Sequence, residues 1–554
     1  MPNIIQGFPS TSGDDYPLNT VTLLRHADRT FADIEIVSRN LDGSIFRYDY
    51  HRAHERTRQL ANALKRLGIG PGDRVGVLEW NTHRYMELYY AVSGIGAVLV
   101  QINPRISTED RTYVIDHSGA RFIFVSELML PLIQPISAKL NQVEGFAVIT
   151  DKALSEIPAG LDPVYSYEEL LEAESPEFEW PLIDENSAYS ACYTSGTTGK
   201  PKGVYFSHRC IYLHTMAIAL QMGIGIQDVV MQTVPMFHCH GWGFFFAAPM
   251  VGAKLVLPGV YTAETTEVLV DLMISEKVTV TCGAPAIFMP MLDYIRSLPE
   301  KPDFSGLRMA SGASEPSLAL MRGFRELGGA EIIHAYGATE TTPIATANLL
   351  KPTLRHLPEE DRWALKKKQG LPVPGIDVKV VDLEGNEVAH DGKQVGEILI
   401  RGPWVTTAYY DDPRTEDSFV DGWWKSGDMG TLDENGYLKV TDRLKDVIKS
   451  GGEWISSIDL ENAIMAHPGV REAAVVGIPH PKWEERPFAL VVLRESAEGS
   501  TTADEIRDFI APSFAKWQFP DEIRFVAEIP KTSVGKFSKK HIREEYRDVY
   551  QSAG

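Results

Sequence analysis

Through roughly the first 400 residues, short apolar runs rich in β-branched residues alternate with longer stretches in which apolar positions recur at helical spacing. Arg74-Val75-Gly76-Val77-Leu78 reads as a buried strand and is followed by a helical pattern from His83 to Ser93. The amphipathic stretch Thr265 to Glu276 leads into a second apolar run, Val278 to Cys282. Alternation of this kind predicts parallel sheets covered by helices. Open α/β sheets bind ligands beyond the carboxyl ends of their strands, and several turns after these runs carry the polar residues considered below. From Gly396-Glu397-Ile398-Leu399-Ile400-Arg401-Gly402 onward the rhythm changes to short strands and turns. A domain boundary is predicted where Asp442-Arg443-Leu444-Lys445-Asp446 opens the last segment. That segment reads as a helix (Ser457 to Ala466), strands (Ala473 to Val476 and Ala489 to Leu493) and a further helix (Thr502 to Ser513), a small α+β unit. The expected domains are therefore 1–441 and 442–554.

Composition narrows the function classes. The 554 residues are 44% hydrophobic and 23% charged, ordinary globular values, without a fixed-period repeat. A formal net charge of −21 argues against a nucleic-acid surface, because neutralising phosphates takes clustered Lys and Arg. Cys192, Cys210, Cys239 and Cys282 form no C-x-x-C pair, which suits reduced thiols in a cytosolic protein and makes structural zinc improbable. The first residues lack the basic and apolar regions of a secretory signal, and Gln551-Ser552-Ala553-Gly554 is not a peroxisomal address. The apolar stretch Phe244 to Leu257 is broken by Pro249, Gly252 and Lys254 and is too short to span a bilayer. A cytoplasmic protein with no integral membrane segment is expected.

The most specific chemical signal is Tyr193-Thr194-Ser195-Gly196-Thr197-Thr198-Gly199-Lys200-Pro201-Lys202-Gly203. Glycine lets backbone amides approach an anion, Ser and Thr hydroxyls add donors, and lysine adds charge, so the stretch suits nucleotide phosphates. It is not a Walker loop: Pro201 follows Gly199-Lys200, and the position five before Gly199 is Thr194. A shorter Gly/Ser/Thr cluster would read as a solvated turn. From Tyr193 to Val204 the sequence resembles the signature of the adenylate-forming superfamily, which contains acyl-CoA synthetases, luciferases and peptide-synthetase adenylation domains.

The resemblance covers essentially the whole chain. It implies an α/β fold whose large N-terminal domain has stacked helix-covered sheets plus a distorted barrel, followed by a small mobile α+β C-terminal lid. It implies ATP, Mg²⁺ and coenzyme A as cofactor and co-substrates, with Thr194, Ser195, Gly196, Thr197, Thr198, Gly199 and Lys202 around the phosphates. His334-Ala335-Tyr336-Gly337-Ala338-Thr339-Glu340 resembles the family's second nucleotide motif. Tyr336 offers a face for adenine, Thr339 a donor for the α-phosphate, and Glu340 an oxygen ligand for Mg²⁺, with Thr194 a second metal contact. Gly312, Ala313 and Ser314 would lie against adenine, and Asp428 would take the ribose hydroxyls.

Lys536, in Pro530-Lys531-Thr532-Ser533-Val534-Gly535-Lys536-Phe537, is the catalytic candidate. A carboxylic acid, with a pKa of about 4–5, is already ionised at neutral pH and needs no base to attack the α-phosphorus of ATP. It needs a cation to bring two anions together. Without the family match, the basic cluster of Lys531, Lys536, Lys539 and Lys540 would read as a solvated face.

The acyl pocket is expected at Pro235-Met236-Phe237-His238-Cys239-His240-Gly241-Trp242, where His238 matches the family's histidine beside the acyl group, with Trp242 as floor and Gly283, Ala284 and Pro285 as a second wall. Metal binding by His-Cys-His is rejected, since adjacent residues on a strand point to opposite faces. Thioester formation at the same carbonyl requires the site to be rebuilt; Asp442, opening the turn between the domains, is the expected hinge, with Arg443 near the ribose, and the resemblance implies that Lys445, Lys449 and Trp454 contact nucleotide or gate the acyl tunnel. The resulting expectation is an ATP-dependent acid–CoA ligase, an acid–thiol ligase working through acyl-AMP on a short- or medium-chain fatty acid or 3-methylmercaptopropionate. Its partners are that acid, ATP and coenzyme A, with a homodimer left open. An aryl-CoA ligase, an enzyme loading a carrier protein, and a luciferase-like oxidase are the competing readings. A non-catalytic nucleotide-binding regulator would be expected to lose Lys536 or Glu340, and both are present.

Overall fold

The computed structural model describes residues 5–13, 15–157, 160–194, 199–382, 384–444, 446–451, 453–497, 499–531 and 537–551. Two compact units emerge, one formed by residues 1–377 and 400–424, the other by 378–399 and 425–554.

The first unit is built on two large sheets. The seven-stranded sheet runs in spatial order Val164–Ser166, Gly145–Ile149, Ala120–Ser126, Arg74–Leu78, Val98–Gln101, Ala188–Thr194, Lys202–Ser207. Its strands are parallel except the last, which returns antiparallel to Ala188–Thr194. The nine-stranded sheet runs Leu371–Pro372, Ile344–Ala347, Glu331–Gly337, Arg308–Ser311, Val280–Gly283, Val229–Met231, Lys254–Leu257, Glu35–Arg39, Ile45–Asp49. Its six central strands are parallel, and antiparallel pairs close both edges. The expected parallel sheets are therefore present, with hairpins added where the chain has no helix to cross over.

Arg74–Leu78 forms over the predicted residues, and the helix after it covers His83–Gly94. That helix is buried on all sides, because both large sheets' layers enclose it, and so lacks the polar face of a surface helix. The predicted helix at Thr265 to Glu276 is Glu267–Ser275, and its strand is Val280–Gly283. One core gathers Ile123, Val125, Val148 and Val100 under the seven-stranded sheet, and another gathers Met231, Phe288, Met309 and Phe324 under the nine-stranded one.

A five-stranded sheet is formed by Asp377–Val381, Gly396–Arg401, Trp423–Leu432, Phe419–Val420 and Leu438–Arg443. The second unit also holds a sheet whose long hairpin, Val470–His480 with Glu484–Leu493, extends well past the predicted strands. Helices Ser457–Met465 and Ala503–Ile510 pack beside it, the latter closed by a Thr502/Glu505 capping box. No helix among the described residues is long and apolar enough to cross a membrane.

Candidate active site

The sheets bring distant candidates into one row. Gly283 is paired with Ser311, and Ser311 with His334, at the carboxyl ends of three neighbouring parallel strands. The segments Gly283-Ala284-Pro285, Gly312-Ala313-Ser314 and Ala335-Tyr336-Gly337 therefore leave one sheet edge side by side, where open α/β sheets take their ligands. Pro285 begins the helix Pro285–Ser297, its fixed φ suiting the first helical position. A Cβ on Gly312 would stand 3.0 Å from the Ala335 carbonyl oxygen and 3.2 Å from the Trp242 ring. A bare α-carbon suits this close approach of Trp242 and the Ala335 main chain, so the candidate acyl and adenine segments meet at Gly312. Gly337 is likewise required, since a Cβ there would lie 1.6 Å from the Pro343 carbonyl oxygen.

The candidate phosphate loop is the connection of a hairpin. Thr194 and Lys202 form the last cross-strand pair of Ala188–Thr194 and Lys202–Ser207. Ser195, Gly196, Thr197 and Thr198 lie outside the described residues. Gly199 has φ +132°, open to glycine and little else. Thr194 Oγ1 is buried without a hydrogen-bond partner among the described residues.

The far side of the hairpin is gripped by residues 400–424. Tyr410 N donates to Gly203 O at 2.9 Å and Arg414 Nη1 to Lys200 O at 3.0 Å. Lys202 Nζ lies 3.8 Å from the centre of the Tyr409 ring and 3.8 Å from Glu340 Oε1. Burial, reinforced by Arg414, lowers the Lys202 pKa despite the opposing pull of Glu340 and Asp412.

Glu340 sits in the turn Thr339–Thr341 that follows Glu331–Gly337. It is buried, its Oε1 accepting from Tyr409 Oη at 2.6 Å, and its carbonyl accepts from Thr406 N at 2.8 Å. Trp424 Nε1 donates to the same Tyr409 oxygen at 3.3 Å. The strand bearing Thr194 packs against this turn, so Thr194, Lys202 and Glu340 share one neighbourhood. Thr339 and Tyr336 are half-buried, whereas Ala313 and Ser314 are exposed. The His334 ring turns away to the Lys367 carbonyl at 3.0 Å, and burial depresses its pKa to about 4.

The segment after His238 departs from the expected strand. Cys239, His240, Gly241, Trp242 and Gly243 have φ of 44°, 55°, 56°, 65° and 83°, a continuous left-handed turn in which three residues are not glycine. Left-handed backbone costs about 1–2 kcal/mol per L-residue, so surrounding bonds must impose it. Buried Gln232 does so from inside: its Nε2 donates to Gly241 O at 2.7 Å and Val234 O at 2.8 Å, while its Oε1 accepts from Phe245 N at 2.9 Å. Asn81 Nδ2 ties the Gln232, Thr233 and Val234 carbonyls together. His240 is a core residue, bonded to Ser190 Oγ at 2.5 Å and held neutral by burial. Thus the strand argument against a His-Cys-His metal site does not describe the backbone, although no cluster of three His, Cys, Asp or Glu ligands occurs among the described residues. His238 is half-buried just before this turn.

In the second unit, Asp428 and Arg443 face each other across a strand pair, with Oδ1 to Nε at 3.4 Å. Asp442 is buried; Ser457 N and Oγ both donate to its Oδ2 at 2.6 Å, and Arg443 N to its Oδ1 at 2.7 Å. Burial raises its pKa, opposed by Lys539 and by the Ser457 bonds. Lys449 is exposed on a short strand opposite Trp454. Lys445, Lys536 and the Trp454 side chain lie outside the described residues. Lys531 and Phe537, the described residues on either side of the stretch that carries Lys536, form an antiparallel bridge. Asn81, Gln232, Tyr409 and Arg414 are the participants sequence reasoning missed; none stands in a motif, and each acts through main chain or a partner far along the chain.

Comparison with known proteins agrees with this architecture. Residues 24–410 match the model of the AMP-binding enzyme family and residues 459–536 that of the AMP-binding enzyme C-terminal domain. The chain is 42% identical over 553 residues to a long-chain-fatty-acid–CoA ligase of Thermus thermophilus, covering 99% of both. It is 41% identical over 538 residues to a 3-methylmercaptopropionyl-CoA ligase of Ruegeria lacuscaerulensis, covering 96% of this chain and 98% of that one. A crystal structure of the anthranilate CoA ligase AuaEII with anthranoyl-AMP superposes with a TM-score of 0.84 at 25% identity, covering 98% of this chain and all of that one. The fold is that of an adenylate-forming enzyme, and the chain belongs to the AMP-binding enzyme family. Within that family it is an acyl-CoA synthetase of the AMP-forming kind, an acid–thiol ligase that uses ATP and coenzyme A.

Proposed function

We propose that the enzyme activates a short- or medium-chain fatty acid or 3-methylmercaptopropionate. The reading is supported by the meeting of Trp242, Gly312 and Ala335, where a bulky indole would shorten the room for an acyl chain beyond the nucleotide. The small Gly283-Ala284-Pro285 wall supports the same size class.

In the first half-reaction an acid oxygen bonds to the α-phosphorus of ATP and the bond to pyrophosphate breaks. The acid arrives ionised, so the chain must supply positive charge and position rather than a base. Lys536 is proposed to bridge the carboxylate and the α-phosphate, with Thr339 donating to the latter and His238 orienting the former. Thr194 to Gly199 and Lys202 would hold the β- and γ-phosphates, Tyr336 with Gly312, Ala313 and Ser314 the adenine, and Asp428 and Arg443 the ribose. His334 would then contribute main chain only, its ring being engaged elsewhere. The Thr194 hydroxyl, buried without a hydrogen-bond partner among the described residues, and the Glu340 carboxylate fit Mg²⁺, which binds through one or two protein oxygens plus substrate phosphates. When bound, the ion supplies charge neutralisation between the phosphates.

In the second half-reaction the coenzyme A sulfur bonds to the acyl carbon, AMP leaves, and the thiol proton is released to solvent. The segment from Asp442 onward is proposed as the mobile lid, turning at Asp442 so that Lys536 withdraws and Lys445, Lys449 and Trp454 take its place. A cytoplasmic location belongs to the same reading. The test is pyrophosphate–ATP exchange across acids from acetate to laurate, thioether acids and aryl acids, followed by thioester assay with coenzyme A. Exchange that is strongest with aryl acids would replace the proposed substrate class; no exchange with any acid would defeat the reading.

A further inference from the structure

We propose that the first unit carries a second ligand site, a seat for an amphipathic carboxylate such as a free fatty acid, at the opposite edge of the seven-stranded sheet from Thr194. Arg74, Val98 and Ala188 are the first residues of three of its parallel strands, and all three line a cavity of about 590 Å³. Ligand sites for small molecules fall in the range of about 300–1,000 Å³ and are mostly apolar with a few fixed polar groups. This one has that composition. Pro71, Ile95, Val98 and Pro181 make an apolar wall, continued by Leu182, a leucine that is 69% exposed.

The polar groups select an anion. Arg74 Nε donates to Ser118 O at 2.9 Å and Nη1 to Gly72 O at 2.8 Å, so main-chain carbonyls fix the guanidinium without neutralising it. No carboxylate lies within ion-pair distance of Arg74 among the described residues, and neighbouring Asp73 is engaged by Arg121 at 2.7 Å. Tyr205 Oη donates to the same Ser118 carbonyl at 3.4 Å, and the Tyr410 ring lies 4.5 Å from that of Tyr205, so two aromatic rings continue the lining. One guanidinium matches a monoanionic head; a phosphate or coenzyme A would call for further cations. The apolar wall accounts for the tail.

The experiment must separate this seat from the reaction site. The full chain is saturated with a non-hydrolysable acyl-sulfamoyl adenosine, which fills the reaction site, and titrated calorimetrically with dodecanoate below its micellar concentration. One dodecanoate per chain is expected, with affinity falling roughly tenfold or more in Arg74→Gln and in Ala188→Phe, and with dodecylamine failing to compete. Ala188→Phe narrows the cavity while keeping Arg74, and retained pyrophosphate exchange shows it folded, so it decides the matter if Arg74→Gln does not fold. Absence of dodecanoate binding, unchanged affinity in Ala188→Phe, or equal competition by dodecylamine overturns the proposal. Failure of the adenylate analogue to bind would count against the ligase reading instead, and the two variants would still report on the cavity in the free chain.

Discussion

Tyr409 Oη donates a 2.6 Å hydrogen bond to Glu340 Oε1 while the Tyr409 ring lies under Lys202 Nζ, so one tyrosine fixes both the carboxylate and the ammonium group beside the candidate phosphate loop. If Glu340 holds Mg²⁺ as proposed, its carboxylate must be oriented before the metal arrives, and outer partners of this kind are worth about 10–100-fold in metal affinity or activity. Tyr409→Phe is therefore expected to raise the Mg²⁺ concentration for half-maximal pyrophosphate exchange by roughly tenfold. Glu340→Ala should raise it further. Metal dependence unchanged in both variants would remove Glu340 from the ligands.

The left-handed turn at 239–243 gives a second test. Gly241 has φ +56°, and a Cβ there would stand 2.3 Å from Gln232 Nε2, the atom that holds the turn. Gly241→Ala adds strain at a left-handed position and dislodges that amide, for a combined cost of about 2–4 kcal/mol. A lower thermal midpoint is expected, together with loss of acid affinity exceeding loss of ATP affinity, because Trp242 is displaced. A variant with unaltered stability and acid KM would show that the turn does not set the pocket.

These two cases mark the limits of legibility. The periodic elements could be read because strands such as Arg74–Leu78 and helices such as His83–Gly94 are specified by local pattern and length. The row formed by Gly283, Ser311 and His334 could be anticipated as a class, since parallel strands deliver their following turns to one edge. Five left-handed residues beginning Cys-His could not, because local propensity opposes them and only Gln232 and Asn81, distant in sequence, impose them. Tyr409 was equally silent: its role comes from a contact 69 residues away along the chain.

Acid should destabilise the enzyme through its buried histidines. Burial depresses the pKa of His208 to about 4, of His214 to about 3 and of His334 to about 4, against 6.5 ordinarily. A histidine with a depressed folded pKa contributes stability that is complete above 6.5 and is lost as pH falls toward its folded value, because the unfolded chain takes up the proton first. Each contributes on the order of a few kcal/mol. Glu79, whose pKa burial raises to about 8, works the other way and loses its contribution as pH rises from 4.5 to 8. Three histidines outweigh one glutamate, so urea midpoints should fall between pH 6.5 and pH 4.5. A midpoint that holds or rises across that window would contradict the buried neutral assignment.

Lys536 offers the sharpest division between the two half-reactions. If it bridges two anions only while pyrophosphate leaves, its removal should cost adenylation roughly 10²–10³-fold, the usual effect of losing one preorganised donor to developing charge. Thioester formation from preformed acyl-AMP should be spared, because attack by the coenzyme A sulfur needs neither pyrophosphate release nor that ammonium group. Lys536→Ala is therefore expected to show almost no pyrophosphate exchange and near-normal conversion of synthetic acyl-AMP. Asp442 should show the converse. Its carboxylate receives two bonds from Ser457, and a turn about this residue must exchange them, so Asp442→Pro is expected to retain exchange and slow the thioester step. Equal losses in both half-reactions for Lys536→Ala would mean that the lysine holds the site in one arrangement throughout, and that no rebuilding separates the steps.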